Sequence, residues 1–397
     1  MRLLIIKYFK HLICICLFYL FFYSILSQIN ALNPIQKVLR DFKFSDIYFS
    51  HFLEKEKDRN IYLIDIGLKS PEITRNEITK FINEVNDKYK PRVIAIDVRF
   101  LNNKNTSTET NVNLINALKK DNIVLPYSLQ YEENENGPVV IEARSELPIN
   151  YNKVSLGFTN NFATDNVEYS VSRFFTPVIN LNNKIHNHFS YVVSKKFNPD
   201  SIYSFDKGQK IMINYKYEYD NPISINDNSS YFKLKDKIVI IGLFTKKNNG
   251  DPLYNEDVHY TPSKKPAIGK SPPNLYGAEI LANIISNINN QSYIKYYEKT
   301  SIWINICLSL VIYFVLLFIY NKSSFIFSVT SIVQQFFLVF FLVLSSIFII
   351  AKFNIYMDFT LLVFVAFFSV EFVGFIDEVV AFLENLLVNL HLKTKLK

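Results

Sequence analysis

Two aspartates close short β-branched runs: Asp65 ends IYLID at 61–65, and Asp97 ends VIAID at 93–97. Carboxylates at the carboxyl ends of parallel strands face the crevice where open α/β sheets take up ligands, so this pair could hold a cation or the hydroxyl groups of a polar ligand. An Asp in that place also caps the turn that follows it, which is the simpler use. Arg75 and Arg99 stand nearby in sequence, and each either hydrogen-bonds one of the carboxylates or lies solvated. Asp251, Glu256, Asp257 and His259 share one loop, but their spacing matches no frame of metal ligands, and no metal site is expected. Glu371 is set well inside an apolar stretch. A carboxylate there is by default a candidate for a relay or a gate, unless it reaches interfacial water or another helix. The chain carries no nucleophile elbow, Walker loop, dinucleotide fingerprint or kinase set, so neither a catalytic role nor a cofactor is expected.

Positioning the two aspartates requires strands and helices in alternation. Ile73, Ile78, Phe81, Ile82 and Val85 recur at helical spacing over residues 73–89, between the two aspartate-tipped runs. The three elements form a β-α-β unit, which implies parallel pairing through a right-handed crossover. A helix at 114–119 and a strand at 123–126 follow, and later KIVIIG at 237–242 and an amphipathic helix at 278–288 repeat the pattern. Strands apolar on both faces belong in a sheet covered on each side, so the expected fold is α/β, a mainly parallel sheet with helices on both faces. Strands at 154–158, 168–175 and 211–214 and a helix at 187–196 fill the interval, and YEENENG at 131–137 reads as a solvated loop.

The ends of the chain have a different composition. Of the 397 residues 49% are hydrophobic and 36 are Phe, and these crowd into both ends. Residues 11–29 are uncharged and follow Arg2, Lys7 and Lys10, which hold the N-terminus in the cytoplasm. They read as a signal anchor, the alternative being a cleaved signal peptide. Residues 301–320, 325–351 and 355–376 each have the length to cross the hydrocarbon, with NKSS and KFN as tight turns between antiparallel neighbours. Residues 30–300 are therefore expected outside, and residues 1–10 and 377–397 inside, a bacterial inner membrane. The net charge of +7 is spread among Asp and Glu rather than gathered in a stripe, which excludes a nucleic-acid footprint and leaves the membrane as the natural partner. Cys14, Cys16 and Cys307 all fall in apolar segments, so the central domain has no thiol for a disulfide or a zinc site.

The series IYLIDIG, Pro71 and Arg75 before a helix, RVIAIDVRF, NIVLPYSL, SVSRFFTPVI, KIVIIGLF, Asp251, HYTP at 259–262 and YGAEILANII at 276–285 resembles the CHASE2 family of extracytoplasmic sensor domains. Three transmembrane helices typically trail that domain, as the apolar segments do here, and the resemblance covers roughly residues 30–380. The resemblance implies a sensor, and its helix start at Gly277 and Asn283 implies a tight turn and close helix packing. Two departures stand out. The family's Asp-rich signature after the first strand is reduced to Asp65-Ile66-Gly67-Leu68-Lys69-Ser70, and no cytoplasmic kinase or cyclase can be built from residues 377–397.

The expected function is thus a membrane-anchored receptor that binds a small ligand or a periplasmic protein and signals to a separately encoded cytoplasmic partner. The alternative is a scaffold subunit of an envelope complex, with the exported domain as its docking surface. Val379, Phe382, Leu383, Leu386 and Leu390 form one helical stripe, which would serve a homodimer, a separate output protein or burial in the inner leaflet. Protease added to intact spheroplasts is expected to cut between Arg40 and Tyr297. A reporter fused in that stretch that reads as cytosolic would overturn the topology.

Overall fold

The structure, a computed structural model, describes residues 11, 13, 43–102, 106–134, 137–160, 171–244, 257–263, 273–359, 362–363, 366 and 373–382. In chain order the first half carries β1 (Glu56–Lys57), β2 (Ile61–Asp65), α1 (Pro71–Lys88), β3 (Val93–Ile96), α2 (Thr108–Leu118), β4 (Ile123–Asn134), β5 (Gly137–Ala143), β6 (Ser155–Phe158), β7 (Phe174–Phe175), β8 (Val178–Leu181) and β9 (Lys184–Asn187). There follow α3 (Phe189–Phe197), β10 (Ile211–Met212), β11 (Tyr217–Glu218), β12 (Ile223–Ser224), β13 (Ile238–Gly242), β14 (Val258–His259), β15 (Leu275–Tyr276), α4 (Gly277–Asn289), β16 (Ile294–Tyr296), α5 (Glu298–Lys322), α6 (Ser324–Phe353) and β17 (Ile355–Tyr356). The chain divides into two compact units, one of which is Asp46–Tyr296 with Phe353–Tyr356, while the other contains the long helices.

The first unit is mixed α/β. Its main sheet has the order β12-β2-β13-β3-β4-β5, with β6 also on β4. The β12–β2, β2–β13, β13–β3, β3–β4 and β4–β6 pairings are parallel, and the β4–β5 pairing is antiparallel. The aspartate-tipped strands are therefore not neighbours, contrary to the expected direct pairing. β13 lies between them, Ile240 opposite both Leu63 and Ala95. All five of its residues are buried, which suits the position where both edges and both faces are covered.

Alternation along the strands splits the core. Ile64, Ile94, Ile96, Val239 and Ile241 pack with Ile78, Phe81, Ile82 and Val85 of α1 and Leu114 and Leu118 of α2. Ile61, Leu63, Val93, Ala95, Ile238 and Ile240 pack with Phe189 and Val193 of α3 and Ala278, Leu281 and Ile285 of α4. The period of two in the strands thus sends successive side chains to opposite helix pairs. Ile73, which shares the helical spacing, is 49% exposed at the first turn of α1.

Three expectations on local structure are corrected. Residues 131–134 and 137 are strand rather than loop, continuing an antiparallel hairpin in which Asn134 faces Gly137. A hairpin running beyond the sheet needs no apolar side chain on its outer part, so polarity there does not argue against a strand. Of the strand expected at 168–175, only Phe174–Phe175 appears among the described residues. Ile355 and Tyr356, expected to begin a membrane helix, form β17 in parallel pairing with Lys295 and Tyr296 of β16. β17 thereby joins the small sheet β17-β16-β10-β7, where the rings of Phe174, Tyr296 and Tyr356 meet in tilted contact. Asp46 and Arg173, both buried, form an ion pair with Arg173 Nε donating at 2.8 Å and Nη2 at 2.6 Å.

In the second unit, α5 and α6 are joined by Ser323, and each is long and apolar enough to cross a membrane, with mean hydropathy 2.6. Asn305 Nδ2 donates to the Asp358 carbonyl at 2.6 Å, and Lys43 Nζ pairs with the Asp358 carboxylate at 2.8 Å. His11 is fully buried, its Nδ1 2.9 Å from Tyr313 Oη and its Nε2 3.3 Å from Asp377 Oδ1. Most of the segment expected to span at 11–29 and much of that at 355–376 lie outside the described residues.

Gly157 of β6 lies so close to α3 that a Cβ there would stand 2.8 Å from the Phe189 nitrogen. Gly157→Ala is expected to cost about 1–3 kcal/mol of stability, read as a lower urea midpoint of the full chain at unchanged slope.

Candidate functional site

The carboxyl ends of β2, β3 and β13 open onto the start of α4. Asp65 is committed to its own turn: Oδ1 accepts from Gly67 N at 2.9 Å and from Phe244 N at 3.0 Å, just beyond β13. The turn needs Gly67, whose φ is +65°. This is the capping use, extended to a second strand.

Asp97 differs. Its backbone N–H donates to the Ile241 carbonyl at 2.8 Å, continuing the ladder one step past β3. Its side chain retains some exposure, yet no hydrogen-bond donor reaches the carboxylate among the described residues. Protein packed around it pushes the carboxyl up to about 7, with the Asp257 charge adding to the rise and His259 opposing it.

His259 belongs to the short pair β14–β15, in which Val258 faces Tyr276 and His259 faces Leu275, and Asp257 stands immediately before β14. His259 Nε2 is 3.1 Å from Asp257 Oδ1. The Asp257 carbonyl accepts from Gly277 N at 3.0 Å, and its carboxylate lies over that glycine, where a Cβ would come 2.6 Å from Oδ1. Glu279 Oε2 accepts from Tyr276 N at 2.9 Å, closing the first turn of α4. Burial raises the Tyr276 phenol, and the charges of Glu279, Asp65 and Asp257 add to the rise. Acids thus converge on the electropositive end of a 13-residue helix, where the peptide dipoles favour negative charge.

The other sequence candidates fall elsewhere. Arg75 reaches neither aspartate and is not solvated. It is 3% exposed, and its guanidinium donates to Asn111 Oδ1 of α2 and to the Leu101 carbonyl, tying α1 to its neighbours. A buried guanidinium needs such acceptors, and these two came from chain-distant positions. Arg99 is exposed. Of the loop acids, Asp251 and Glu256 lie outside the described residues, as do Glu371 and Leu383, Leu386 and Leu390 of the stripe. Val379 is half-buried on a helix that runs over 373–382, and Phe382 is 64% exposed. Among the described residues no group of three or more His, Cys, Asp or Glu could hold a metal ion. Tyr276 and Glu279 were missed as site residues, although Glu three positions after a helix-starting residue is a capping signal open to sequence reading.

A family model described as the CHASE2 domain matches residues 13–319. The chain belongs to the CHASE2 family. CHASE2 domains are extracytoplasmic and sensory, which assigns a sensor role to the chain and an extracytoplasmic place to its CHASE2 domain. No curated protein and no solved structure gives a match.

Raising the Asp97 pKa from 3.8 to about 7 means that folding takes up a proton between those values. The contribution is fully present below the unfolded pKa and is lost as pH rises through the folded one. Asp97→Asn is therefore expected to raise stability at about pH 8 by on the order of 1 kcal/mol, discounted for partial exposure, and to leave it unchanged at about pH 4. Urea titrations of the full chain at both pH values check this.

Proposed function

We propose that this CHASE2 protein is a membrane-anchored sensor whose α/β unit binds a small polar ligand at the carboxyl ends of β2 and β3. The change passes through its membrane helices to a separately encoded cytoplasmic partner. The observation that carries this reading is Asp97, a strand-end carboxylate without a donor among the described residues, across β13 from an Asp65 already engaged by its turn. A ligand hydroxyl or ammonium group would supply that donor and favour the ionised carboxylate. Asp257, His259 and Tyr276 border the same place and would contribute to selectivity.

In this reading the chain spans a bacterial inner membrane four times, with residues 30–300 outside, and the stripe from Val379 through Phe382, Leu383 and Leu386 to Leu390 meets the partner. Signalling requires that the ligand bind one state of the α/β unit more tightly than another, since equal affinity would shift nothing.

The test is a thermal-shift screen of the full chain in nanodiscs against polar metabolites, together with crosslinking in native membranes. A ligand at about a hundred times its Kd stabilises by about 2.7 kcal/mol, a readily visible shift. Asp97→Asn is expected to weaken binding about tenfold or more while the protein stays folded. A screen without any shift, together with crosslinks that capture no cytoplasmic signalling protein, would sink the proposal.

A further inference from the structure

Two buried histidines, outside the site at the strand ends, fasten one hairpin to the sheet. β8 and β9 form that hairpin, which packs Ile179 and Leu181 against Tyr127, Leu129 and Phe158. His186 lies in β9, and His188 joins β9 to α3. Spaced by two along extended chain, their side chains share a face.

His188 is 1% exposed, flanked by Phe158 at 5.1 Å and Phe175 at 5.6 Å between ring centroids. Its backbone bridges Phe158 in parallel, and its N–H donates to the Pro177 carbonyl at 2.8 Å. The ring Nδ1 accepts from Ser190 N at 3.2 Å, capping α3. A backbone N–H can only donate, so Nδ1 carries no proton and the ring is neutral in this arrangement. Protonation would destroy the cap and set a positive charge at the helix end that repels it.

His186 is 5% exposed. Its Nδ1 is 3.0 Å from Tyr127 Oη and 3.6 Å from Glu142 Oε1 of β5. Glu142 is already engaged by Arg144, whose Nε donates at 2.8 Å, and by Lys184 of β9. The two cations thus compete with the imidazolium for a single carboxylate. Both rings titrate below the ordinary imidazole value. Burial pushes His188 down to about 3. For His186 burial is the first cause, Glu142 opposes it, and Lys184 and Arg144 add to it.

We propose that His186 and His188 form an acid-released latch, holding the β8–β9 hairpin and the start of α3 on the sheet while neutral and freeing them when the medium acidifies. The opened hairpin binds more protons than the docked one once pH falls below about 6.5, so docking weakens as pH drops through that window. The latch would make this surface respond to external acidity independently of any ligand at the strand ends.

The test is hydrogen exchange on the full chain in nanodiscs, expressed as protection factors, at about pH 7.5 and about pH 5. Protection over residues 178–190 is expected to fall about tenfold or more on acidification, while the β13 amides keep theirs. His186→Gln with His188→Asn retains an acceptor at each place but removes titration, and this double variant is expected to lose the step. Equal protection in the unmodified chain at both pH values overturns the proposal, as does an equal fall across β13 or a step that survives the double variant. The unmodified chain alone is sufficient to refute the latch, so a variant that fails to fold does not shelter it.

Discussion

The α/β unit depends on one constraint, the removal of β13 from water on both faces and along both edges. Ile238, Val239, Ile240, Ile241 and Gly242 are each buried. Their side chains feed two separate apolar clusters, one against α1 and α2 and one against α3 and α4. A strand with nothing polar to offer solvent is stable only when enclosed, and enclosing it sets β2 and β3 at its sides. The placing of Asp65 and Asp97 follows. Each stands beyond the end of a flanking strand, and β13 supplies the carbonyl that holds Asp97 and leads to the amide that holds Asp65. Gly242 completes the arrangement, since Ala278 of α4 packs against it where a side chain would intrude.

The site shows how local chemistry separates two residues that look alike in sequence. Asp65 and Asp97 both end β-branched runs, yet one carboxylate receives two backbone amides and the other receives none among the described residues. Conformation explains this. After Asp65 the chain turns through Gly67 at positive φ and folds its own amide back, whereas the irregular chain from Asp97 to Phe100 returns no amide to the Asp97 carboxylate among the described residues. A carboxylate left without donors in packed surroundings favours its proton, which is why Asp97 is pushed toward neutrality.

What could be read from the sequence was what is encoded locally. IYLID, VIAID and KIVIIG announce strands because runs of β-branched residues have few other uses, and the period of Ile78, Phe81, Ile82 and Val85 announces α1. The order of strands was not legible, because β13 is inserted from far along the chain and no local signal marks its neighbours. Arg75 was misread for the same reason: its acceptors, Asn111 and the Leu101 carbonyl, are brought to it only by the packing of α1 on α2. Asp257 acquires meaning only when β14 pairs with β15 and sets its carboxylate over Gly277. Ile355 and Tyr356 were absorbed into an apolar stretch because hydropathy does not distinguish a buried strand residue from a lipid-facing one.

The pairing of β17 with β16 has a mechanical meaning. The chain leaves the α/β unit through β16 into α5, returns from α6 through β17, and leaves again toward the last helix. Two parallel strands in fixed register, Lys295 opposite Ile355 and Tyr296 opposite Tyr356, therefore clasp together two threads that run the same way, one into α5 and one toward the last helix. Sliding one thread along the other by a single residue would turn its side chains to the opposite face and part the Tyr296 and Tyr356 rings, so this clasp admits discrete positions rather than gradual slippage.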